Sequence, residues 1–140
     1  IENFLVEYVP KQTDRDKWNE ELADKLASYE PDLVVSAGFM RIIGPKVVER
    51  FEGKIINTHP ALLPAFPGAH AVEDALNYGV RVTGSTVHVV DSGVDTGPII
   101  AQKAVEVADD DTVDSLHERI KKVERALLVE VLHDIAGTTD

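Results

Sequence analysis

Cysteine is absent from this sequence of 140 residues. Its absence excludes a disulfide bond, a thiolate nucleophile and a zinc site with cysteine ligands. Nothing in the composition therefore indicates redox chemistry or secretion, and we expect a cytoplasmic protein. The length suits one compact domain, residues 1–140, with a core drawn from the 44% of residues that are hydrophobic.

Basic residues are also scarce. The sequence has 14 Lys and Arg against 25 Asp and Glu, a formal net charge of -11. Such a surface repels the phosphates of a nucleic acid and an anionic membrane. The longest hydrophobic runs, such as residues 33–37, are far shorter than the roughly 18 residues that suggest a membrane span. We therefore expect a soluble protein whose partners include neither nucleic acid nor membrane.

Strand-like and helix-like segments alternate along much of the chain. The predicted strands are residues 4–9, 33–37, 54–59, 83–90 and 98–107, and the predicted helices are residues 13–29, 45–52, 70–78 and 112–136. Strands that are separated by helices usually join through right-handed crossovers into a parallel sheet. The sequence therefore predicts the α/β class, with a mostly parallel sheet flanked by helices.

Asn57 and His59 stand two residues apart at the end of a predicted strand. The period of two points both side chains to the same face, and open parallel sheets bind ligands at the carboxyl ends of their strands. A carboxamide can donate to a developing oxyanion, while an imidazole can carry a proton. The pair therefore suits acyl transfer to an amine that attacks directly, without a covalent enzyme intermediate.

Asp95 lies in a glycine-rich loop, residues 91–97, between the last two predicted strands. A carboxylate beside an imidazole favours the charged form of that imidazole. We therefore expect Asp95 to approach His59 and to make it a better proton donor near neutral pH. Residues 60–68 include three prolines, which fix backbone torsions and predict a rigid loop beside the pair.

Spacing alone leaves a structural interpretation open for each of these residues. Asn57 also suits a turn at the end of a strand, His59 suits the end of an element, and Asp95 suits a turn. The other histidines favour structural roles: a satisfied, partly buried side chain at His88, a helix cap at His70, and exposed positions at His117 and His133.

No spacing in the sequence indicates a metal or a nucleotide triphosphate. The His-Glu-x-x-His motif and other tight ligand spacings are absent, so we expect no metal site. The glycines of residues 93–97 do not form a phosphate loop, because no Gly-Lys-Ser follows and no helix opens there. The acidic residues 109–111 lack the interleaved ligands of a calcium loop and suit the start of the last helix.

Three ordered segments of the chain resemble the phosphoribosylglycinamide formyltransferase family. They are Ala37-Gly38-Phe39-Met40-Arg41-Ile42, Asn57-Thr58-His59-Pro60-Ala61-Leu62-Leu63-Pro64 and Val94-Asp95-Thr96-Gly97-Pro98. The segments follow the family's order and spacing, and the resemblance runs from about Tyr8 to Leu128. It implies the formyltransferase fold, a Rossmann-like sheet, of which this chain lacks the amino-terminal part.

The resemblance also implies roles for individual residues. Asn57 and His59 would be the catalytic pair, and Asp95 would be the carboxylate that supports the histidine. The enzyme would move a formyl group from 10-formyltetrahydrofolate to glycinamide ribonucleotide in purine biosynthesis. The folate would be bound by Arg15, Met40, Arg41, Ile42, Ile43, Asn57 and Val94, and the glycinamide end of the ribonucleotide by Glu124.

Two related families use the same formyl donor. Methionyl-tRNA formyltransferases typically have a small residue directly after the histidine, and formyltetrahydrofolate hydrolases usually have a second histidine there. Pro60 stands at that position in this chain, which favours the purine enzyme. The net charge of -11 also argues against a tRNA partner.

The family's first strand and its glycine-serine-asparagine phosphate loop have no counterpart after Ile1. We therefore expect this segment to be missing, in which case the chain alone could bind folate without being active. An incomplete sheet would expose apolar surface and favour self-association, including a homodimer.

Overall fold

The helices and strands alternate as the sequence predicts. A computed structural model describes residues 15–36, 45–91, 93 and 95–138, so the predicted strand at residues 4–9 lies outside the described residues. The elements are α1 (Arg15–Ala27), β1 (Val34–Ser36), α2 (Pro45–Arg50), β2 (Ile55–His59), α3 (Ala71–Tyr78), β3 (Val82–Val89), β4 (Ile99–Glu106) and α4 (Val113–Thr138).

The four described strands form one sheet in the order β1-β2-β3-β4. The predicted α/β class, a Rossmann-like sheet flanked by helices, is confirmed. The predicted parallel pairing is confirmed for β1 and β2 and is wrong for β2/β3 and β3/β4, which are antiparallel. The described residues of the β3/β4 connection, residues 90–98, contain no helix, and a parallel crossover needs about a dozen residues or more.

The sheet buries apolar side chains on both of its faces, because side chains alternate along each strand. On one face, hereafter the α1/α2 face, Ile55 packs with Ala23 of α1 and with Val47 and Phe51. Trp18 of α1 is also buried. On the opposite face, the α4 face, two clusters join the sheet to α4: Ile56, Val87, Leu127 and Val131, and Val72, Val105, Leu116 and Ile120. The site described below therefore lies on a sheet that is packed from both sides.

Residues at the helix ends account for where α3 stops and where α4 begins. Gly79 has a left-handed φ of 88° and donates its N–H to Ala75 and Leu76, as the sequence predicts for a helix stop. The Thr112 hydroxyl accepts the Ser115 N–H at 3.1 Å, which caps the start of α4. The predicted end of α4 before Gly137 is wrong, because the helix continues to Thr138.

Asp111 anchors the segment that precedes α4. Its carboxylate accepts both N–H arms of Arg119 and the N–H of Ala108. The hydrogen bond from Arg119 holds the pKa of Asp111 well below its usual range, and the Ala108 N–H acts in the same direction. Asp111 of the acidic run therefore fastens the start of α4, which agrees with the predicted role there, whereas Asp109 pairs with Arg81. No helix in the described residues is long and apolar enough to cross a membrane.

Candidate active site

Asn57 and His59 lie at the carboxyl end of β2, on the α1/α2 face. The register pairs Asn57 with His88 and His59 with Thr86 on the antiparallel neighbour β3. Directly opposed residues of antiparallel strands point to the same face, so these four polar side chains share one patch. His59 is buried, whereas Asn57 is partly exposed. The amide of Asn57 is therefore the member of the patch that remains accessible to a ligand.

Asp95 reaches this patch from the β3/β4 loop. Its Oδ2 atom is 3.5 Å from His59 Nδ1 and accepts the Gly68 N–H at 2.8 Å. Its Oδ1 atom is 3.6 Å from His88 Nε2. The structure thus brings the three residues predicted to be catalytic, Asn57, His59 and Asp95, to one place. It adds His88, which the sequence alone assigned to a structural role.

The second nitrogen of His59 is held by the loop of residues 60–68. His59 Nε2 is 2.7 Å from the carbonyl oxygen of Phe66. A carbonyl oxygen only accepts, so the hydrogen of this bond is on Nε2. The ring is therefore oriented from two sides, by a backbone carbonyl at Nε2 and by the Asp95 carboxylate at Nδ1.

The same loop is fastened to the sheet by a buried polar network. The Thr86 hydroxyl donates to Ala61 O at 2.7 Å and accepts the Leu63 N–H at 3.1 Å. The Gln102 amide donates to Leu63 O at 2.8 Å and to the Thr86 hydroxyl at 3.1 Å. Sequence reasoning assigned the rigidity of this loop to its prolines and missed Thr86 and Gln102, whose roles depend on how the strands pair.

Two of the three described non-glycine residues with a positive φ lie at this patch, and the third, Glu30, follows α1. Phe66 and Asp95 have φ values of 51° and 55°, in the left-handed region that non-glycine residues rarely adopt. Gly68, whose N–H binds Asp95, has a φ of 96°. Such conformations cost about 1–3 kcal/mol each for a residue with a side chain and tend to occur at functional sites. Their position here supports the assignment of this patch as the active site.

Glu124 of α4 approaches β2 from the α4 face. Its Oε1 atom accepts the Thr58 hydroxyl at 2.9 Å, and Thr58 stands between Asn57 and His59 in the strand. Glu124 therefore contacts the same strand end as the predicted catalytic pair, but from behind the sheet. Its assignment to the ribonucleotide stays a prediction.

Most of the residues predicted to bind folate cannot be compared with the structure. Met40, Arg41, Ile42, Ile43 and Val94 lie outside the described residues, and Arg15 begins α1 with its side chain outside them. Asn57 is the described member of that set.

The other histidine predictions have mixed outcomes. His70 precedes α3, but its side chain makes no capping hydrogen bond, so the predicted cap is wrong. His88 is buried rather than partly buried. His133 is exposed, as predicted. Within the described ranges, no three acidic or histidine side chains are arranged to hold a metal ion.

Comparisons with known proteins show which proteins this chain is similar to. Residues 4–132 match the sequence model of a family described as formyl transferase. A phosphoribosylglycinamide formyltransferase of Mycobacterium tuberculosis is 61% identical over 122 residues, which are 87% of this chain and 57% of that protein. One from Bacillus subtilis is 47% identical over 116 residues, which are 83% of this chain and 60% of that protein.

The fold is also similar to that of solved structures. The crystal structure of phosphoribosylglycinamide formyltransferase from Bacillus halodurans superposes with a TM-score of 0.87 at 43% identity. It covers 92% of this chain, and the match covers 66% of that structure. The chain thus spans somewhat more than half the length of the relatives that it matches.

Proposed function

The chain belongs to the formyl transferase family, and we propose that it carries the catalytic centre of an enzyme that formylates glycinamide ribonucleotide. The formyl donor would be 10-formyltetrahydrofolate, and the reaction would serve purine biosynthesis. The similarity to proteins named phosphoribosylglycinamide formyltransferase supports glycinamide ribonucleotide as the formyl acceptor. The observation that carries the proposal is the convergence of Asn57, His59 and Asp95 at one strand end.

Asn57 would stabilise the oxyanion of the reaction. The amine of the ribonucleotide attacks the formyl carbon, and the carbonyl oxygen gains negative charge as the new C–N bond forms. The partly exposed amide of Asn57 can donate an N–H to that oxygen. The bond from the formyl carbon to the folate nitrogen then breaks, and no residue of the chain becomes covalently attached.

His59 would carry the proton that the attacking amine loses and the folate nitrogen gains. Its Nδ1 faces the Asp95 carboxylate at 3.5 Å, which occupies that side of the ring. Nε2 is therefore the atom that exchanges a proton with the substrates. Its hydrogen bond to the Phe66 carbonyl must break first. Asp95 acts through His59 and contacts no reacting atom in this mechanism.

The remaining assignments belong to the same proposal. Folate would contact Asn57 and the residues Arg15, Met40, Arg41, Ile42, Ile43 and Val94, and the glycinamide end of the ribonucleotide would contact Glu124. The reaction as proposed has no step that requires a metal ion. We also propose a cytoplasmic location, small-molecule substrates rather than nucleic acid, and assembly as a homodimer.

Turnover of two variants in the protein at its full natural length tests the mechanism. His59→Ala and Asp95→Ala should each lower kcat at least about a hundredfold, the usual contribution of acid–base groups. His133→Ala, which removes an exposed histidine of α4, is the matched control and should leave kcat unchanged. Near-normal turnover in both active-site variants would refute the mechanism.

Two further measurements separate the proposed reaction from its alternatives. Calorimetry of the 140-residue chain distinguishes a folate-binding fragment, which binds a folate analogue but not glycinamide ribonucleotide. Formate release without an amine acceptor would instead indicate a formyltetrahydrofolate hydrolase. We expect formate only as a minor product compared with the formylated ribonucleotide.

A further inference from the structure

His88 is a buried histidine on β3 that the mechanism above does not use. It is 2% exposed and lies opposite Asn57 in the register. Its Nδ1 is 3.2 Å from the carbonyl oxygen of Val89, so Nδ1 carries a hydrogen. Its Nε2 makes no hydrogen bond within the described part of the chain, yet it is 3.6 Å from Asp95 Oδ1. A buried polar atom without a partner is costly, which makes its approach to a carboxylate informative.

His88 and His59 are bound in the same way. Each ring has one nitrogen on a backbone carbonyl, Val89 O for His88 and Phe66 O for His59. Each ring then turns its other nitrogen toward one oxygen of Asp95. A neutral ring would point a lone pair at the carboxylate, so in both rings this contact becomes favourable only when the second nitrogen is protonated.

Few other charged groups in the described residues compete for this contact. Asp91 belongs to the same loop as Asp95, but its carboxylate accepts from Gly93 and Thr96. On the β4 side, His88 faces Ile99, which is not titratable, and on the β2 side it faces neutral Asn57. Glu124 binds Thr58 on the opposite face of the sheet. Asp95 is thus the one described carboxylate placed between two imidazoles.

We propose that His88 is a positioning residue that holds Oδ1 of Asp95, so that Oδ2 faces His59, and that the two imidazoles share the charge of this single carboxylate. The proposal rests on the proposed function for its catalytic consequence. Its geometric part, the coupling of the two rings through Asp95, stands on the distances alone.

Two substitutions of His88 separate the contribution of its hydrogen-bond donor from that of its positive charge. His88→Gln keeps an N–H at about the reach of Nε2 but cannot become charged. His88→Phe keeps the volume of the ring and removes both the donor and the charge. We expect kcat to fall about tenfold in His88→Phe, on the usual cost of a misplaced catalytic group, and less than about threefold in His88→Gln, with KM little changed in both. A residue that only packs would give the opposite order, because Phe fills the site better than Gln.

Histidine NMR at one fixed pH tests the coupling without any substrate. The nitrogen signal of His59 Nδ1 should shift more in His88→Phe than in His88→Gln, because Gln still donates an N–H to Asp95 Oδ1 and Phe does not. The control His133→Gln removes an exposed imidazole of α4 and should leave the His59 signal unchanged. A His59 signal that responds to neither His88 variant would overturn the coupling.

The kinetic and NMR experiments test the proposed function and the role of His88 independently. If His59→Ala retains turnover, the proposed function fails, while the His59 NMR signal in the two His88 variants still decides whether the two rings are coupled through Asp95. If His59→Ala is inactive but His88→Phe and His88→Gln have equal, near-normal kcat, the positioning role is refuted and the proposed function stands. Thermal unfolding of both His88 variants shows whether a loss of kcat follows a loss of folded protein.

Discussion

The two faces of β2 differ in chemistry although they belong to the same five-residue strand. On the α4 face, Ile56 packs into an apolar cluster with α4. On the α1/α2 face, Asn57 and His59 lie opposite His88 and Thr86 at the strand end. Alternation at the end of the strand therefore places the predicted catalytic pair on the face opposite to Ile56.

A shift of the register by one residue would exchange the two sets of side chains. The apolar packing behind the strand thus fixes the position of the polar residues in front of it. The comparison predicts that substitutions on the α4 face affect stability, and that substitutions on the α1/α2 face near the strand end affect turnover or the loop that serves it.

The largest effect is expected from Ile120→Ala on the α4 face. Ile120 is fully buried among Val72, Val105 and Leu116, and the cavity should lower the free energy of unfolding by about 3 kcal/mol. Urea denaturation measures it. Val129→Ala on the same helix is the control, because Val129 is 66% exposed and should change stability by less than about 0.5 kcal/mol. Equal losses of unfolding free energy in the two variants would contradict the stabilising role assigned to the buried side chains of the α4 face.

Thr86→Val should destabilise the protein by about 2 kcal/mol, because it keeps the side-chain shape but leaves Ala61 O and the Leu63 N–H unpaired. The matched control is Thr83→Val, three residues earlier on the α4 face. Thr83 is buried, and its hydroxyl makes no hydrogen bond within the described residues. That control should be neutral or stabilising in thermal unfolding. A destabilisation of the same size at both positions would contradict the assigned role of Thr86.

Gly97→Ala should affect turnover more than stability. A Cβ atom at Gly97 would lie 1.7 Å from the carbonyl oxygen of Val89, so the loop that carries Asp95 must shift. We expect kcat to fall about tenfold, as for other misplaced catalytic groups. Gly137→Ala in α4 meets no atom within 4 Å and should leave kcat unchanged while stabilising the helix slightly. Unchanged kcat in Gly97→Ala would show that Asp95 tolerates the shift.

Thr58→Val sharpens the comparison, because Thr58 connects the two sides through its hydrogen bond to Glu124. The substitution removes the hydrogen bond that orients the Glu124 carboxylate. If Glu124 contacts the ribonucleotide, the KM for glycinamide ribonucleotide should rise about threefold, on the scale of one modest hydrogen bond. The folate KM should not change. Glu118→Gln, on the exposed surface of α4 near Lys121, is the control. A rise in the KM for folate alone would place Glu124 at the other substrate.

The smallest effect is expected at Asp111, which touches neither face of β2. Its folded pKa lies below the ordinary value of 3.8, chiefly through the hydrogen bond from Arg119. Its contribution to stability is therefore full above the ordinary carboxyl range and is lost as the pH falls through the folded pKa.

Melting temperatures across pH test this prediction. Asp111→Asn should be less stable than the natural protein near neutral pH, and the difference should shrink below about pH 4. Asp109→Asn is the control, since Asp109 and its partner Arg81 are both largely exposed and such pairs contribute little. A difference in melting temperature that grows toward acid pH would contradict the predicted direction of the effect.

Local sequence patterns predicted most of the elements. The predicted strand at residues 54–59 matches β2, and the helix stop at Gly79 is confirmed. These features depend on residues that are close in the chain, such as an apolar run or a glycine after a helix. The spacing of Asn57 and His59 is of the same kind, because a strand places alternate residues on one face.

The features that the sequence did not predict depend on pairing between strands. Thr86 and Gln102 bind the loop because the register sets them opposite each other, and His88 reaches Asp95 beside an irregularity between Val87 and His88. The antiparallel direction of β3 and β4 likewise follows from the path of their loop. No periodicity within a single segment contains this information.

Trp18 provides an optical signal for one side of the sheet that is separate from the signal of α4 on the other side. It is the only tryptophan of the sequence and is buried on α1, whose neighbouring side chains pack on the α1/α2 face. Its fluorescence therefore reports that side, whereas far-ultraviolet circular dichroism is weighted toward the 26-residue helix α4. Superimposable unfolding curves from the two signals would identify one cooperative unit. Separate curves would show that the layer behind the sheet can melt without the layer in front of it.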